Sequence, residues 1–395
     1  MPGGTTRECA GTGRQVTRGR MSTQVDLWSS GYRGDMVQLP LLQALASETG
    51  LDQRAVFSDQ SPSCAGFEQS GVPLLTLSGD RRALAAPAIP WRVARTRSRL
   101  RHWYRDRRPI VHVTMGSIWD HLYLDVPKRQ GATILLTVHN ARPRIGEEVG
   151  RIAAMMEDRL IRLADHIAVL SDYAGEQMAA RIGRRRPIHV VAPGLVMDTR
   201  PPGPPKVLES VRPLKFLFFG RMEKYKGLGL LLTAWEMLAK STGIPMTLTI
   251  AGSGDISQHL PAIARLPRVE VMNSWLSDET MSELFATHDV NLLPYSEGST
   301  SATSLAGMWA GMPTIASPIG GFKEQLIPGL NALIMREVSA EALVDCILQI
   351  SGSSDLYNRL AQGAHRQAHA LSGPVVAKNW RDLYEGIWAE KRMSR

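Results

Sequence analysis

Short runs of β-branched and aliphatic residues alternate with helix-forming stretches along most of the chain, and one proline-rich segment interrupts them. That alternation is the tightest constraint in the sequence. Strand, helix and strand in succession return the chain in the same direction, which builds a parallel sheet covered by helices on both faces. In the first half the candidate strands are Gln24–Trp28, Arg54–Ser58, Leu74–Leu77, Ile110–Thr114, Thr133–Val138, His166–Leu170 and Ile188–Ala192. Helical stretches between them include Met36–Ser47, Gly146–Ala164 and Ser171–Ile182, the last with Ser171 as its N-cap and Gly183 to close it. The stretch Pro193–Pro213 carries Pro201, Pro202, Pro204 and Pro205, which exclude helix and central strand. Alternation then resumes. Candidate strands are Lys215–Phe219, Met246–Ala251, Val290–Leu293 and Thr314–Ser317; candidate helices are Gly227–Lys240, Ser277–Thr287 and Ser301–Ala310.

The expected architecture is α/β, with two doubly wound Rossmann-like domains facing a cleft. Residues 21–195 form the first domain, 196–213 the linker and 214–375 the second domain. A final helix over 376–395 is a candidate for crossing back to the first domain; Trp380, Leu383, Tyr384 and Trp388 give it one packing face. At 395 residues the chain has room for both domains, and 44% hydrophobic content excludes a disordered or fibrous chain. Residues 1–20 hold Arg7, Arg14, Arg18 and Arg20 without an apolar core. They are expected to be a disordered tail rather than a secretory signal, with Met21 a candidate start. Cys9, Cys64 and Cys346 are far apart and odd in number, which fits a reduced cytoplasmic protein and gives no thiolate metal site. No apolar run approaches the ~20 residues that span a bilayer. Basic residues exceed acidic ones by nine, and the surplus is one-sided: 29 against 20 up to Ser210, then 17 against 17. The first half is therefore expected to face an anionic partner.

Two segments of the second half carry chemistry. In Phe218-Phe219-Gly220-Arg221-Met222-Glu223-Lys224-Tyr225-Lys226-Gly227 a strand runs into a glycine and a short cationic loop. Ligands of open α/β sheets bind beyond the carboxyl ends of strands, where Arg221 and Lys226 are placed to hold a diphosphate. A solvated loop is the plainer alternative. The second segment is Pro294-Tyr295-Ser296-Glu297-Gly298-Ser299-Thr300-Ser301-Ala302. It opens a helix whose first amides favour an anion. Glu297 beside them is repelled by such an anion unless it has its own task, such as meeting positive charge on a sugar or gripping hydroxyls. The plainer alternative makes Ser299 an N-cap and Glu297 a first-turn charge.

In this order and spacing the second half resembles the nucleotide-binding domain of the GT-B glycosyltransferases of family 4. The matching pieces are FGRMEKYKG at 219–227, TIAGSGD at 249–255, the stretch 273–298, GMPTIASPIGGFKE at 311–324 and PGLNALI at 328–334. The resemblance implies a retaining transferase that uses a nucleoside-diphosphate sugar as donor substrate and no resident cofactor. It assigns the donor diphosphate to Arg221 and Lys226 beside Gly220. In the first domain it assigns His139, just past the strand Thr133–Val138, to the reacting sugar. It also places a glycine loop at Gly31 and Gly34 near donor and acceptor. Glu297 matches the first of two family glutamates, but the second position holds Leu305. The ribose contact is then expected from backbone, Thr300 and Ser301.

Between Arg81 and Arg108 lie ten arginines interleaved with Trp91, Val93, Leu100, Trp103 and Tyr104. This pattern suits an anionic membrane surface, on the inner face of the cell membrane, better than nucleic acid; a solvated helix face with core aromatics is the plainer alternative. Asp120 and His121 form a further polar pair, expected to line an acceptor pocket or a helix surface. The sequence has no Asp-x-Asp, no complete dinucleotide fingerprint around Gly252-Ser253-Gly254 and no Walker loop, so a metal-independent reaction is expected. The expected activity is transfer of a hexosyl group to a saccharide or lipid-linked saccharide in cell-surface glycoconjugate synthesis. A degenerate nucleotide-binding scaffold and a sugar-nucleotide epimerase remain alternatives.

Overall fold

The structure is a computed structural model. It describes residues 22–31, 34–77, 89–117, 119–141, 151–183, 185–192, 202–241, 246–298 and 300–393. The expected tail, part of the glycine loop, Arg81, Arg82, Ser299 and the first half of the proline-rich stretch lie outside them.

The strands fall into two sheets. The first holds β1 (Thr23–Ser29), β2 (Leu51–Ser58), β3 (Leu74–Leu77), β4 (Ile110–Val113), β5 (Thr133–Val138), β6 (His166–Val169) and β7 (Ile188–Val190), in the order β3-β2-β1-β4-β5-β6-β7. Its helices are α1 (Asp35–Leu45), α2 (Cys64–Gln69), α3 (Ile89–Trp103), α4 (Asp125–Arg129), α5 (Arg151–Leu163) and α6 (Asp172–Ile182). The second sheet holds β8 (Lys215–Phe219), β9 (Thr247–Ala251), β10 (Val269–Met272), β11 (Val290–Leu293), β12 (Thr314–Ala316) and β13 (Ala332–Ile334), in the order β10-β9-β8-β11-β12-β13. Its helices are α7 (Leu228–Ser241), α8 (Leu260–Ile263), α9 (Asp278–Thr287), α10 (Ala302–Trp309), α11 (Ala340–Ser351), α12 (Ser354–Ala370) and α13 (Gly373–Met393). The pairs β1–β2, β1–β4, β8–β9 and β8–β11 are all parallel. The α/β alternation read from the sequence is thus present in both halves. The short strands β10 and β13, absent from that reading, complete the second sheet.

The local causes are simple. Serine side chains cap α6, α9, α10, α11 and α12, each accepting from an amide three residues on, as Ser171 Oγ does from Ala174 N at 3.1 Å. Gly183 ends α6 with φ of +64°, a conformation open to glycine. The second sheet packs Phe216, Phe218, Leu248, Ile250 and Ile315 against Leu231 and Trp235 of α7 and Leu343 and Ile347 of α11. Residues 202–213 contain neither helix nor strand; Gly203 N donates to Trp309 O, and Leu208 is buried and bonded to the Asn358 amide. Lys206 Nζ donates to the carbonyls of Phe285, Ala286 and His288 at the carboxyl end of α9.

Contacts divide the chain into two compact units, Met1–Ile134 with Arg381–Arg395, and Leu135–Trp380. In the first unit the end of α13 binds its surroundings through named pairs. Tyr384 Oη lies 2.7 Å from His112 Nδ1 of β4, and Arg381 pairs with Glu48 at 2.5 Å. In the second unit Glu324 accepts from the first two amides of α6, Asp172 N at 2.8 Å and Tyr173 N at 3.0 Å. A carboxylate there is favoured by the helix dipole.

Candidate nucleotide-sugar site

Strand order fixes where each sheet opens. In the second sheet β8 leads outward through β9 to β10, while β11 starts the opposite direction. The switch point is therefore the gap between β8 and β11, beyond their carboxyl ends. The two segments singled out in the sequence leave those two strands.

Glycines let three loops meet at this edge. The chain leaves β8 at Gly220, with φ of +119°, and its amide donates to Ala251 O at 2.9 Å. A Cβ on Gly220 would sit 2.2 Å from Lys226 Nζ and 3.7 Å from Thr303 Oγ1 of α10. The backbone of Gly220, the Lys226 ammonium and the first turn of α10 thus converge on one point. Gly252, with φ of +132°, lies under Gly220; a Cβ there would be 2.1 Å from Gly220 O. The Gly252-Ser253-Gly254 sequence is therefore a backbone bearing for the β8 loop, with Met222 N donating to Ser253 O at 2.9 Å. On the other side Ser296 N donates to Tyr225 O at 2.7 Å, which ties the β8 loop to the β11 loop.

The charges differ in setting. Lys226 is only 7% exposed. Its Nζ donates to Phe219 O at 3.4 Å and stands 5.1 Å from the centre of the Tyr295 ring. Arg221 is exposed and pairs with Glu223 Oε1 at 3.1 Å. Glu297 is half-buried on the β11 loop, and Thr300 is half-buried before α10. Ser301 is the N-cap of α10: its Oγ accepts from Ser304 N at 3.3 Å, and its own amide donates to Gln325 Oε1 at 2.9 Å. Gln325, unmarked in the sequence, is thus what braces this helix start. Ser299 lies outside the described residues. Leu305 is buried among Met308, Trp309, Ala364 and Ala368, an apolar setting that suits leucine.

In the first sheet the same reasoning puts the switch point between β1 and β4. Gly31 follows β1, and a Cβ there would reach Ser117 Cβ at 3.5 Å, ordinary contact. Gly34 is the tighter position: a Cβ would meet Ser29 Oγ at 1.4 Å. His139 directly follows β5 and is half-buried. Asp120 is fully buried rather than set on a helix surface. It accepts from Trp28 Nε1 at 2.6 Å, Ser30 Oγ at 2.5 Å and Ser117 N at 2.6 Å. Burial pushes its carboxyl up from 3.8 to about 6, although these donors pull it down.

The basic stretch sorts into two kinds of arginine. Arg97 forms a two-pronged pair with Asp125 at 2.6 and 2.8 Å, and Arg107 is buried against Asp26 and Asp52. These two hold the fold together, which corrects their assignment to an interaction surface. Arg92, Arg95, Arg99, Arg101, Arg105 and Arg108 are exposed. Trp91 stands 63% exposed beside them, under the Arg95 guanidinium at 5.4 Å. Among the described residues no helix is long and apolar enough to cross a membrane.

Two doubly wound sheets of this kind define a GT-B-type fold. Sucrose-phosphate synthase from Thermosynechococcus elongatus superposes with a TM-score of 0.70 at 15% identity, over 93% of this chain and 100% of that one. HepE from Anabaena, solved in complex with UDP-glucose, superposes with a TM-score of 0.69 at 15% identity, over 92% and 99% of the two chains. At sequence level, residues 213–352 match the model of glycosyl transferases group 1, and residues 37–194 that of the glycosyl transferase 4-like domain. The chain belongs to the family 4 type of glycosyltransferases. D-inositol 3-phosphate glycosyltransferase from Corynebacterium urealyticum is 24% identical over 218 residues, 51% of each chain. An uncharacterized glycosyltransferase from Methanocaldococcus jannaschii is 25% identical over 146 residues, 36% of this chain and 37% of that one. The chain thus aligns with about half the length or less of these curated relatives.

Proposed function

We propose that the protein is a retaining glycosyltransferase that moves a hexosyl group from a nucleoside-diphosphate sugar to a hydroxyl of a saccharide or lipid-linked saccharide, in glycoconjugate synthesis. One observation carries this reading: Gly220, Lys226 and the start of α10 converge at the switch point of the second sheet. HepE, a fold neighbour, was solved with UDP and with UDP-glucose, which makes a uridine nucleotide the first donor to try.

The diphosphate sits beyond β8 and β11, facing Lys226 and the amides of α10. As the bond to the sugar breaks, the leaving diphosphate gains negative charge, and Lys226 and the helix dipole are already aimed at it. Arg221 joins by leaving Glu223. That exposed pair holds it with no more than about 1 kcal/mol, which a diphosphate outbids. Glu297 or the diphosphate itself meets the positive charge that develops on the sugar, and His139 positions sugar or acceptor. Thr300 and Ser301 take the ribose in place of the glutamate that Leu305 replaces. The exposed arginines of α3 with Trp91 rest on an anionic membrane surface, which brings a lipid-linked acceptor within reach.

A scaffold without activity is the competing reading, favoured by the apolar setting of Leu305. The test is thermal unfolding with UDP, GDP, ADP and dTDP, on wild type and on Arg221→Ala/Lys226→Ala. Stabilisation by one nucleotide, lost in the double variant, is the expected result. Equal stabilisation in both proteins, or none with any nucleotide, overturns the assigned site.

A further inference from the structure

The first sheet has a ligand edge of its own, at the gap between β1 and β4. Two loops leave the strands beside it, with residues 30, 31 and 34 described after β1 and residues 114–117 and 119–124 after β4. One side chain joins them. Asp120 opens a short 3-10 turn, Asp120–Leu122, and is 0% exposed. Its Oδ1 takes the Trp28 indole N–H and the Ser30 hydroxyl, and its Oδ2 takes the Ser117 amide. Trp28 belongs to β1 and Ser30 to the turn that follows; Ser117 belongs to the other loop. Gly31 faces Ser117 across the same junction closely enough that an added Cβ would lie 3.5 Å from Ser117 Cβ.

A carboxylate suits this place for a chemical reason. It is acceptor-only, so three donors converging from two loops can all be satisfied. An asparagine of the same shape keeps one oxygen and turns an N–H₂ toward the Ser117 amide, leaving two donors face to face. Among the described residues no lysine or arginine pairs with Asp120, so the donors alone offset its burial.

We propose that Asp120 is a positioning residue. It clamps the β1 and β4 loops into the wall of the pocket that receives the acceptor saccharide. This deepens the transferase reading and rests on it. Asp120 touches neither donor nor acceptor; it acts through the backbone of Ser30–Gly31 and Ser117. Loss of the clamp therefore harms acceptor binding and leaves the nucleotide site, on the other sheet, as it was.

The test pairs Asp120→Asn with Trp28→Phe, which removes one donor and keeps an aromatic side chain. UDP-glucose is the donor, with octyl β-glucoside and D-inositol 3-phosphate as acceptors. Acceptor KM is expected to rise at least tenfold in Asp120→Asn and several-fold in Trp28→Phe, with UDP affinity within twofold of wild type. Amide hydrogen exchange is expected to rise together in residues 28–31 and 114–124. A folded Asp120→Asn with unchanged acceptor KM, or with UDP binding lost in step, overturns the proposal. If Asp120→Asn does not fold, an unchanged acceptor KM in Trp28→Phe overturns it instead. Failure of the transferase reading shows separately, as wild-type protein that releases no UDP with either acceptor.

Discussion

Replacing Lys226 with methionine is expected to separate binding from stability. Lys226 is 7% exposed, and among the described residues its ammonium meets one carbonyl at 3.4 Å and the Tyr295 ring at 5.1 Å. Methionine keeps the apolar stem and removes a charge that holds one long hydrogen bond, so the ligand-free protein loses no stability and gains up to about 1 kcal/mol. Binding moves the other way. A cation about 4 Å from a phosphate charge contributes roughly 4 kcal/mol at an effective dielectric of 20, and hydration returns part of it. A net loss of about 2.7 kcal/mol, in the range for a charged hydrogen bond, weakens nucleotide binding about a hundredfold. A nucleotide at 100 times its Kd, which stabilises wild type by about 2.7 kcal/mol, then stabilises the variant by only about 0.4 kcal/mol. Titration calorimetry with the nucleotide and a urea midpoint without it read the two effects. Binding within threefold of wild type, or a ligand-free midpoint that falls sharply, contradicts a Lys226 ammonium held for the diphosphate.

Further outcomes follow from other residues. Gly252→Ala puts a methyl 2.1 Å from Gly220 O at φ of +132°; it should cost about 2–4 kcal/mol in urea unfolding and weaken nucleotide binding with it, and a neutral result contradicts the bearing role. The Asp120 carboxyl, held up at about 6, binds its proton more tightly in the folded state than in the unfolded one. Its contribution to stability therefore falls as pH rises from about 4 to 6, so the gap between wild type and Asp120→Asn narrows by on the order of 2 kcal/mol from pH 4.5 to 7; a constant or widening gap in denaturant midpoints contradicts this. Arg95→Ala/Arg99→Ala should lower binding to phosphatidylglycerol vesicles about 30-fold at about 1 kcal/mol per arginine, and equal sedimentation with phosphatidylcholine vesicles contradicts an anionic docking face. Transfer should persist in excess EDTA, since side-chain cations and helix amides meet the leaving diphosphate; loss of activity that Mg²⁺ restores contradicts that.

What was legible in the sequence was what depends on near neighbours. Ser171 and Ser277 cap helices from three residues away, and the strands β3, β5, β8 and β11 lie where their apolar runs ended. Lys226 and Gly220 could be marked because a strand end and a loop are both local patterns. The strands β10 and β13 are the two edges of the second sheet, and neither is a run of β-branched residues: Glu270 interrupts β10, and Ile334 is the single β-branched residue of β13. The Asp120 clamp joins Trp28 and Ser30 across about 90 residues of sequence, and no local pattern reports that. Gln325 braces Ser301 from 24 residues away for the same reason. The arginines between Arg92 and Arg108 look alike as a run; only the partners Asp125, Asp26 and Asp52 set Arg97 and Arg107 apart from the exposed ones.

Product analysis reads sugar transfer from a nucleotide donor without an intermediary. The protein would be incubated with UDP-glucose, UDP-galactose, GDP-mannose and dTDP-glucose, each with and without octyl β-glucoside or D-inositol 3-phosphate, and products read by mass spectrometry. One donor should yield one nucleoside diphosphate per glycoside formed, only with acceptor present, and Arg221→Ala/Lys226→Ala should abolish both. Folded wild-type protein that binds a nucleotide yet forms no glycoside, or that interconverts the donor sugar without releasing nucleotide, would contradict it.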